Sequence, residues 1–272
     1  MTLLAACACL LAPLAAAAQA PASLEFRVLA TPTGGRAEKV MQHGFYLVRE
    51  KLETIEAQAR AATPPPDLAA FVDTLKVSPE LKEWMKKNKS VTVQDDDFIS
   101  SLNPDDVMDV PEFRAAYAAR NQAMVGLGFP KRKAKLTDRE KNPARWEASE
   151  KNYWAQVRSY LILHPESKDG MDEHLLDITA ATDWKNRQAR YEQEVRQRAL
   201  QLLHTQYLVA QAETDFEGVA RFSGVPAGRY WLTNLWSEAR AGDVRLQWEV
   251  PVELGAGQSL YLELSNANAR LP

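Results

Sequence analysis

The chain has 272 residues, 25% of them charged, with 33 Lys and Arg against 36 Asp and Glu for a formal charge of −3. That balance excludes a general attraction for nucleic acid or anionic lipid. Its two cysteines, Cys7 and Cys9, both lie in the first twenty residues. The 252 residues beyond them (272 − 20) therefore carry no disulfide, must rely on a packed core, and suffice for one large domain or two modest ones.

The opening stretch, MTLLAACACLLAPLAAAAQA, is apolar and uncharged and ends in Ala18-Gln19-Ala20, a small-x-small cleavage pattern. Residues 1–20 are thus expected to be an export signal removed after Ala20, which places the mature chain in the periplasm, the outer envelope or the extracellular space. Lipidation at Cys7, within Leu4-Ala5-Ala6-Cys7, is the less favoured alternative, because it would leave almost no signal ahead of the cysteine. The lack of a Lys or Arg before the apolar run is compatible with a start codon upstream of Met1. The run is at the lower edge of the ~20 residues needed to span a bilayer, and no membrane span is expected after its removal.

Leu24, Phe26, Val28 and Ala30 then alternate with Glu25, Arg27 and Leu29, the period-two pattern of a strand with one buried face, and GFYLVR at 44–49 predicts a second. From residue 50 the period becomes helical. Leu52, Ile55 and Ala59 share a face before Pro64-Pro65-Pro66 forms a stiff joint. Asp67, Ser78 and Asn103 read as N-caps, the last two followed by proline at the first helical position, while Val110-Pro111 opens a helix with a poor cap. KRKAK at 131–135 reads as a solvated loop. Trp146, Tyr153, Trp154, Val157, Tyr160 and Leu161 form one stripe, and a long helix is expected from Met171 to about His204 with Arg187 and Arg190 on its wet face. After Thr205 the period returns to two. Arg245, Gln247 and Glu249 form the wet side of one strand and Leu246, Trp248, Val250 and Val252 its dry side. A second strand covers 259–264, and the glycine-bearing ELGAGQ joins the two as antiparallel neighbours.

Between them lies TDFEGVARFSGVPAGRYWL at 214–232. Gly218 and the Gly224-Val225-Pro226-Ala227-Gly228 run are expected to turn two strand corners, with Gly228 at positive φ. Thr214, Asp215, Gly218, Phe222, Val225-Pro226, Gly228 and Tyr230 resemble the T-D-x-x-G-x-x-x-F-x-x-[LV]-P-x-G-x-Y signature of carboxypeptidase-regulatory-like domains. Ala227 stands where that family often has a second proline. The resemblance implies a β-sandwich of about seven strands of the transthyretin-like or prealbumin-like type, an accessory or adhesive module of exported proteins. It does not imply peptidase activity. The expected architecture is α+β: a seven-stranded antiparallel transthyretin-like sandwich, built from 21–49 and 205–272 and interrupted by a helical insertion at 50–204.

Chemistry-bearing motifs are few. His43, His164, His174 and His204 are never three to five residues apart, so no metal site or cofactor is expected. Asp95-Asp96-Asp97, Asp105-Asp106 and the acidic run at 169–173 lack the alternating order of a calcium loop and suit N-caps better. No nucleophile elbow, P-loop or dinucleotide fingerprint occurs. Tyr230 and Trp248 share parity with inward leucines. Trp231 and Tyr261 have the opposite parity, and with Trp236 they are the candidate ligand-binding aromatics, exposed unless helices cover them. The leading expectation is an exported, non-enzymatic binding, adhesion or structural protein of the envelope, partnered by another envelope protein or a polysaccharide. A carbohydrate-binding module, and a hydrolase with its site in a cleft between helices and sandwich, are the alternatives.

Overall fold

A computed structural model of the chain describes residues 20–125 and 127–270. The expected export signal, apart from Ala20, lies outside the described residues. The rest is α+β and divides into two compact units, one formed by the described residues up to Thr63 together with those from Val195 onward, the other by Pro64–Glu194.

The first unit contains two sheets with a shared apolar core. Strand β1 (Ala22–Ala30) lies between β5 (Val219–Val225), antiparallel to it, and β10 (Ser259–Leu264), parallel to it; β2 (Glu38–Lys39) extends the end of β1. The second sheet has the order β4 (Leu208–Glu213), β3 (Gly44–Val48), β6 (Gly228–Thr233), β9 (Glu249–Leu254), all antiparallel. A short hairpin joins β7 (Ala239–Ala241) to β8 (Val244–Leu246). Leu24, Phe26, Val28 and Ala30 are fully buried, as their parity requires, and Phe26 meets Phe45 of the facing sheet edge-on at 5.2 Å between ring centres. Trp248 closes the core beside Phe45.

Three details differ from the sequence expectation. There are ten strands among the described residues rather than seven, three of them only two or three residues long. β9 and β10 are not hydrogen-bonded neighbours: the turn at 255–258 carries the chain from one sheet to the other, and β10 then runs parallel to β1. Alternation along a strand reports which face is buried, not which strand lies alongside, so the pairing partner was not legible. Glu249, expected on a wet face, is buried, because its Oε1 accepts the amide of Leu52 at 2.6 Å and its other oxygen pairs with Arg270. That contact sits at the start of α1 (Leu52–Ala61), where Lys51 provides no side-chain cap. A carboxylate from a distant strand satisfies the helix end instead. Hence α1, expected in the helical insertion from residue 50, belongs with the strands, and the division falls at the proline joint.

The second unit contains α2 (Leu68–Asp73), α3 (Pro79–Asn88), α4 (Asp96–Ser101), α5 (Pro104–Asp109), α6 (Pro111–Arg120), α7 (Asp138–Lys141), α8 (Pro143–Leu163) and most of α9 (Ala180–Leu202). The caps read from sequence are formed: Asp67 accepts from Ala69 and Ala70, Ser78 from Leu81, and Asn103 makes a capping box with Asp106, while Val110 contributes no cap. Trp84, Phe98 and Phe113 pack mutually edge-on at 5.1 to 5.6 Å. The helix expected from Met171 is broken: Met171–His174 forms a 3-10 turn and α9 begins only at Ala180, where the Thr179 hydroxyl donates to Asp183 at 3.1 Å. Met171, Leu175 and Ile178 have helical spacing because all three enter the core from an irregular segment. KRKAK is not simply solvated, since Arg132 stacks over Tyr153 and Trp154 and pairs with Glu150.

Candidate binding site

The signature residues of 214–232 build corners. Thr214 is buried and its Oγ1 accepts the His43 amide at 3.0 Å, tying β4 to the start of β3. Asp215 Oδ1 accepts from the amides of Glu217 and Val219 at 2.8 and 2.9 Å, closing the turn into β5. At its tip Gly218 has φ +73°, and a Cβ there would stand 2.9 Å from the carbonyl oxygen of Val28. Phe222 fills the core against Phe26 at 5.4 Å. At the second corner the Tyr230 hydroxyl donates to the Pro226 carbonyl at 2.8 Å, a tyrosine locking a strand-to-strand crossing. The glycine at positive φ here is Gly224, not Gly228 as expected. Gly228 is constrained differently: it opens β6 beneath the Tyr230 ring, whose hydroxyl would be 3.0 Å from an added Cβ. The signature residues are thus engaged in the corners and the core that they build.

The candidate aromatics are not brought together. Trp231 points away from the core of the second sheet, half-buried under the Lys51 ammonium at 4.7 Å. Trp236, in the loop after β6, donates its indole N–H to Glu56 of α1. Both are therefore held by α1 or the residue that precedes it. Tyr261 projects from β10 on the outer side of the first sheet and is 56% exposed. A sugar platform made jointly by these residues is not formed.

The other candidates resolve locally. His43 is part-buried, with Nε2 beside the Asn234 amide at 3.2 Å, and burial lowers its pKa below the usual imidazole value. His174 and His204 are exposed, and His164 lies beside Glu166 at a helix end. Asp95 and Asp106 serve as helix-terminal acceptors, and Asp105 pairs with Arg158 at 2.7 Å. Among the described residues no three His, Cys, Asp or Glu side chains gather as metal ligands.

A site not singled out from sequence lies within the helical unit. Residues 71–77, at the end of α2 and just beyond it, and the first turns of α9 enclose a cleft of about 620 Å³, within the range of small-ligand sites. Its apolar lining is Phe71, Leu75, Val77 and Ile178. Phe71 packs against Trp184 at 5.3 Å, and the guanidinium of Arg187 lies over the same Phe71 ring at 4.9 Å. This holds Arg187 by its face and leaves its N–H edge without a hydrogen-bonding partner among the described residues. Arg190, Asn186 and Lys76 also line the cleft and have no side-chain hydrogen bond or ion pair among the described residues. Glu112 is engaged, with both oxygens accepting from Ser78 at 2.7 and 2.6 Å. Asp183, Asn186, Arg187 and Arg190 recur at i, i+3, i+4 and i+7 on α9, so the helical spacing that could have revealed them was readable. The face is wet as read, since Asp183, Asn186, Arg187 and Arg190 are exposed; no sequence signal shows that residues 71–77 lie beside it.

No family model, curated protein or solved structure matches this chain.

Proposed function

We propose that the protein is an exported, non-enzymatic binding protein of the cell envelope, with a carboxypeptidase-regulatory-like, transthyretin-like sandwich as scaffold and its ligand site in the cleft of the helical unit. The observation that carries the binding assignment is the combination, in that cleft, of an apolar aromatic wall with Arg187, Arg190, Asn186 and Lys76, whose polar ends have no hydrogen-bond or ion-pair partner among the described residues. These donors are solvent-exposed and rim an apolar floor of Phe71, Leu75, Val77 and Ile178, the mixed lining of a small-molecule site. Export is supported by the uncharged apolar leader ending in Ala18-Gln19-Ala20. The sandwich assignment is supported by the signature residues at both corners, and by seven strands of five or more residues in two sheets around one core.

The test is a thermal-shift screen of the full chain against envelope-derived small molecules, repeated on an Arg187→Ala/Arg190→Ala variant. A ligand that raises the melting temperature of the parent and not of the variant is expected. A ligand that stabilises both equally would remove the cleft from the assignment. The carbohydrate reading retains one supporting observation, the exposed Tyr261; it requires Tyr261→Ala to lose polysaccharide binding.

A further inference from the structure

The charges around the cleft are balanced and unevenly distributed. Three cations, Lys76, Arg187 and Arg190, face three carboxylates, Glu112, Asp177 and Asp183. A lining with no net charge is poorly suited to a phosphate dianion or any other multiply charged anion, which would have to approach three carboxylates. It suits a ligand that carries one charge of each sign. Along α9 the two signs are segregated. Asp177 and Asp183 lie at the N-terminal end, where their two full charges outweigh the roughly +0.5 charge of the helix terminus, and the guanidiniums follow one to two turns later.

The separation selects a length. Asp183 precedes Arg187 by four residues and Arg190 by seven, which at 1.5 Å rise per residue is about 6 to 10 Å along the helix axis. An extended peptide spans roughly 3.3–3.6 Å per residue, so two or three residues set an ammonium and a carboxylate that far apart. Arg187 and Arg190 offer forked N–H donors, the geometry that a terminal carboxylate accepts best. Between the two poles, Phe71, Leu75 and Ile178 provide apolar wall for side chains.

We propose that the cleft binds a zwitterionic di- or tripeptide with apolar side chains, its free carboxylate on Arg187 and Arg190 and its free amine toward Asp177 and Asp183. This rests on the reading of the cleft as a binding site. The test is isothermal titration of the full chain with the tripeptide Ala-Leu-Leu in its free, N-acetylated and C-amidated forms. The free form is expected to bind one per chain, and each blocked form about tenfold or more weaker, because each loses a charge-assisted contact. Arg190→Ala should lower affinity for the free peptide about tenfold and leave affinity for the amide nearly unchanged; Asp177→Asn should reduce the preference for the free over the acetylated amine. Equal binding of acid and amide, or an acid preference that survives in Arg190→Ala, overturns the proposal. Inorganic phosphate and maltotriose are titrated in parallel. If either binds in an Arg190-dependent way and the tripeptide does not, the peptide assignment fails and the cleft remains a binding site. If none of the three binds, both fail.

Discussion

Replacing Gly218 by alanine tests whether the 214–232 motif acts through its corners. Two costs add at this position. A residue with a Cβ at φ +73° costs roughly 1–2 kcal/mol relative to glycine. The new methyl would also stand 2.9 Å from the Val28 carbonyl oxygen and 3.3 Å from Lys39 Cβ. The first contact cannot be relieved by a rotamer change, because Val28 is held at both ends: its carbonyl accepts from Val40 at 3.1 Å and its amide donates to Gly218 at 2.8 Å. Relief means weakening one of those bonds, about 1 kcal/mol more. The sum is about 2–3 kcal/mol. Gly224→Ala is the matched control, with the same φ of +73° and no atom within 4 Å of the added Cβ, so only the conformational cost of about 1–2 kcal/mol remains. Both variants are melted under identical conditions by circular dichroism. At roughly 2–8 °C per kcal/mol, Gly218→Ala should melt several degrees below Gly224→Ala. Coincident melting curves would show that contact with Val28 contributes nothing and would refute the account of this corner.

Glu249→Ala removes the acceptor of the Leu52 amide and the partner of Arg270 together, and should cost about 2–4 kcal/mol in urea unfolding, whereas Glu253→Ala on the exposed side of the same strand should stay within about 0.5 kcal/mol. Burial, opposed by a hydrogen bond with the Ser237 backbone and by Glu213, holds the His43 pKa below the ordinary imidazole value of 6.5. The neutral imidazole is therefore the form favoured by folding, its contribution is complete above pH 6.5 and it is lost as pH falls through the lower folded value; His43→Gln should flatten the acid limb of melting temperature against pH. Burial in the helical core raises the Tyr117 hydroxyl from 10.0 to about 12, against a hydrogen bond to Ser167. Folding here favours the protonated phenol, so stability is intact below pH 10 and declines as pH rises from 10 toward 12. Tyr117→Phe should remove that alkaline loss, and ultraviolet titrations of the native parent and the native variant should show the same number of tyrosines ionising near pH 10.

Much of the strand-bearing unit was readable because its signals are local. The parity of Leu24 to Ala30 specified a buried face, the glycines and Pro226 specified corners, and the opposite parities of Tyr230 and Trp231 separated a core residue from an outward one. Asp67, Ser78 and Asn103 announced helix starts because a cap bonds to amides only two or three residues away. Even there, the glycine with positive φ was Gly224 and not Gly228, since the motif specifies that the chain turns and not which residue absorbs the turn.

What tertiary structure alone decided are the relations between distant segments. Glu249 reads as one more wet residue in an alternating strand until Leu52, 197 positions away, is seen to need its oxygen. β10 has the alternation of any half-buried strand, and only the fold aligns it parallel to β1. Arg187 and Arg190 have the spacing of a solvated helix face, and become a candidate site only because residues 71–77 stand beside them. Periodicity records whether a side chain meets water or apolar neighbours, a local free-energy preference; which neighbours it meets depends on contacts between distant segments, and no single stretch of sequence encodes them.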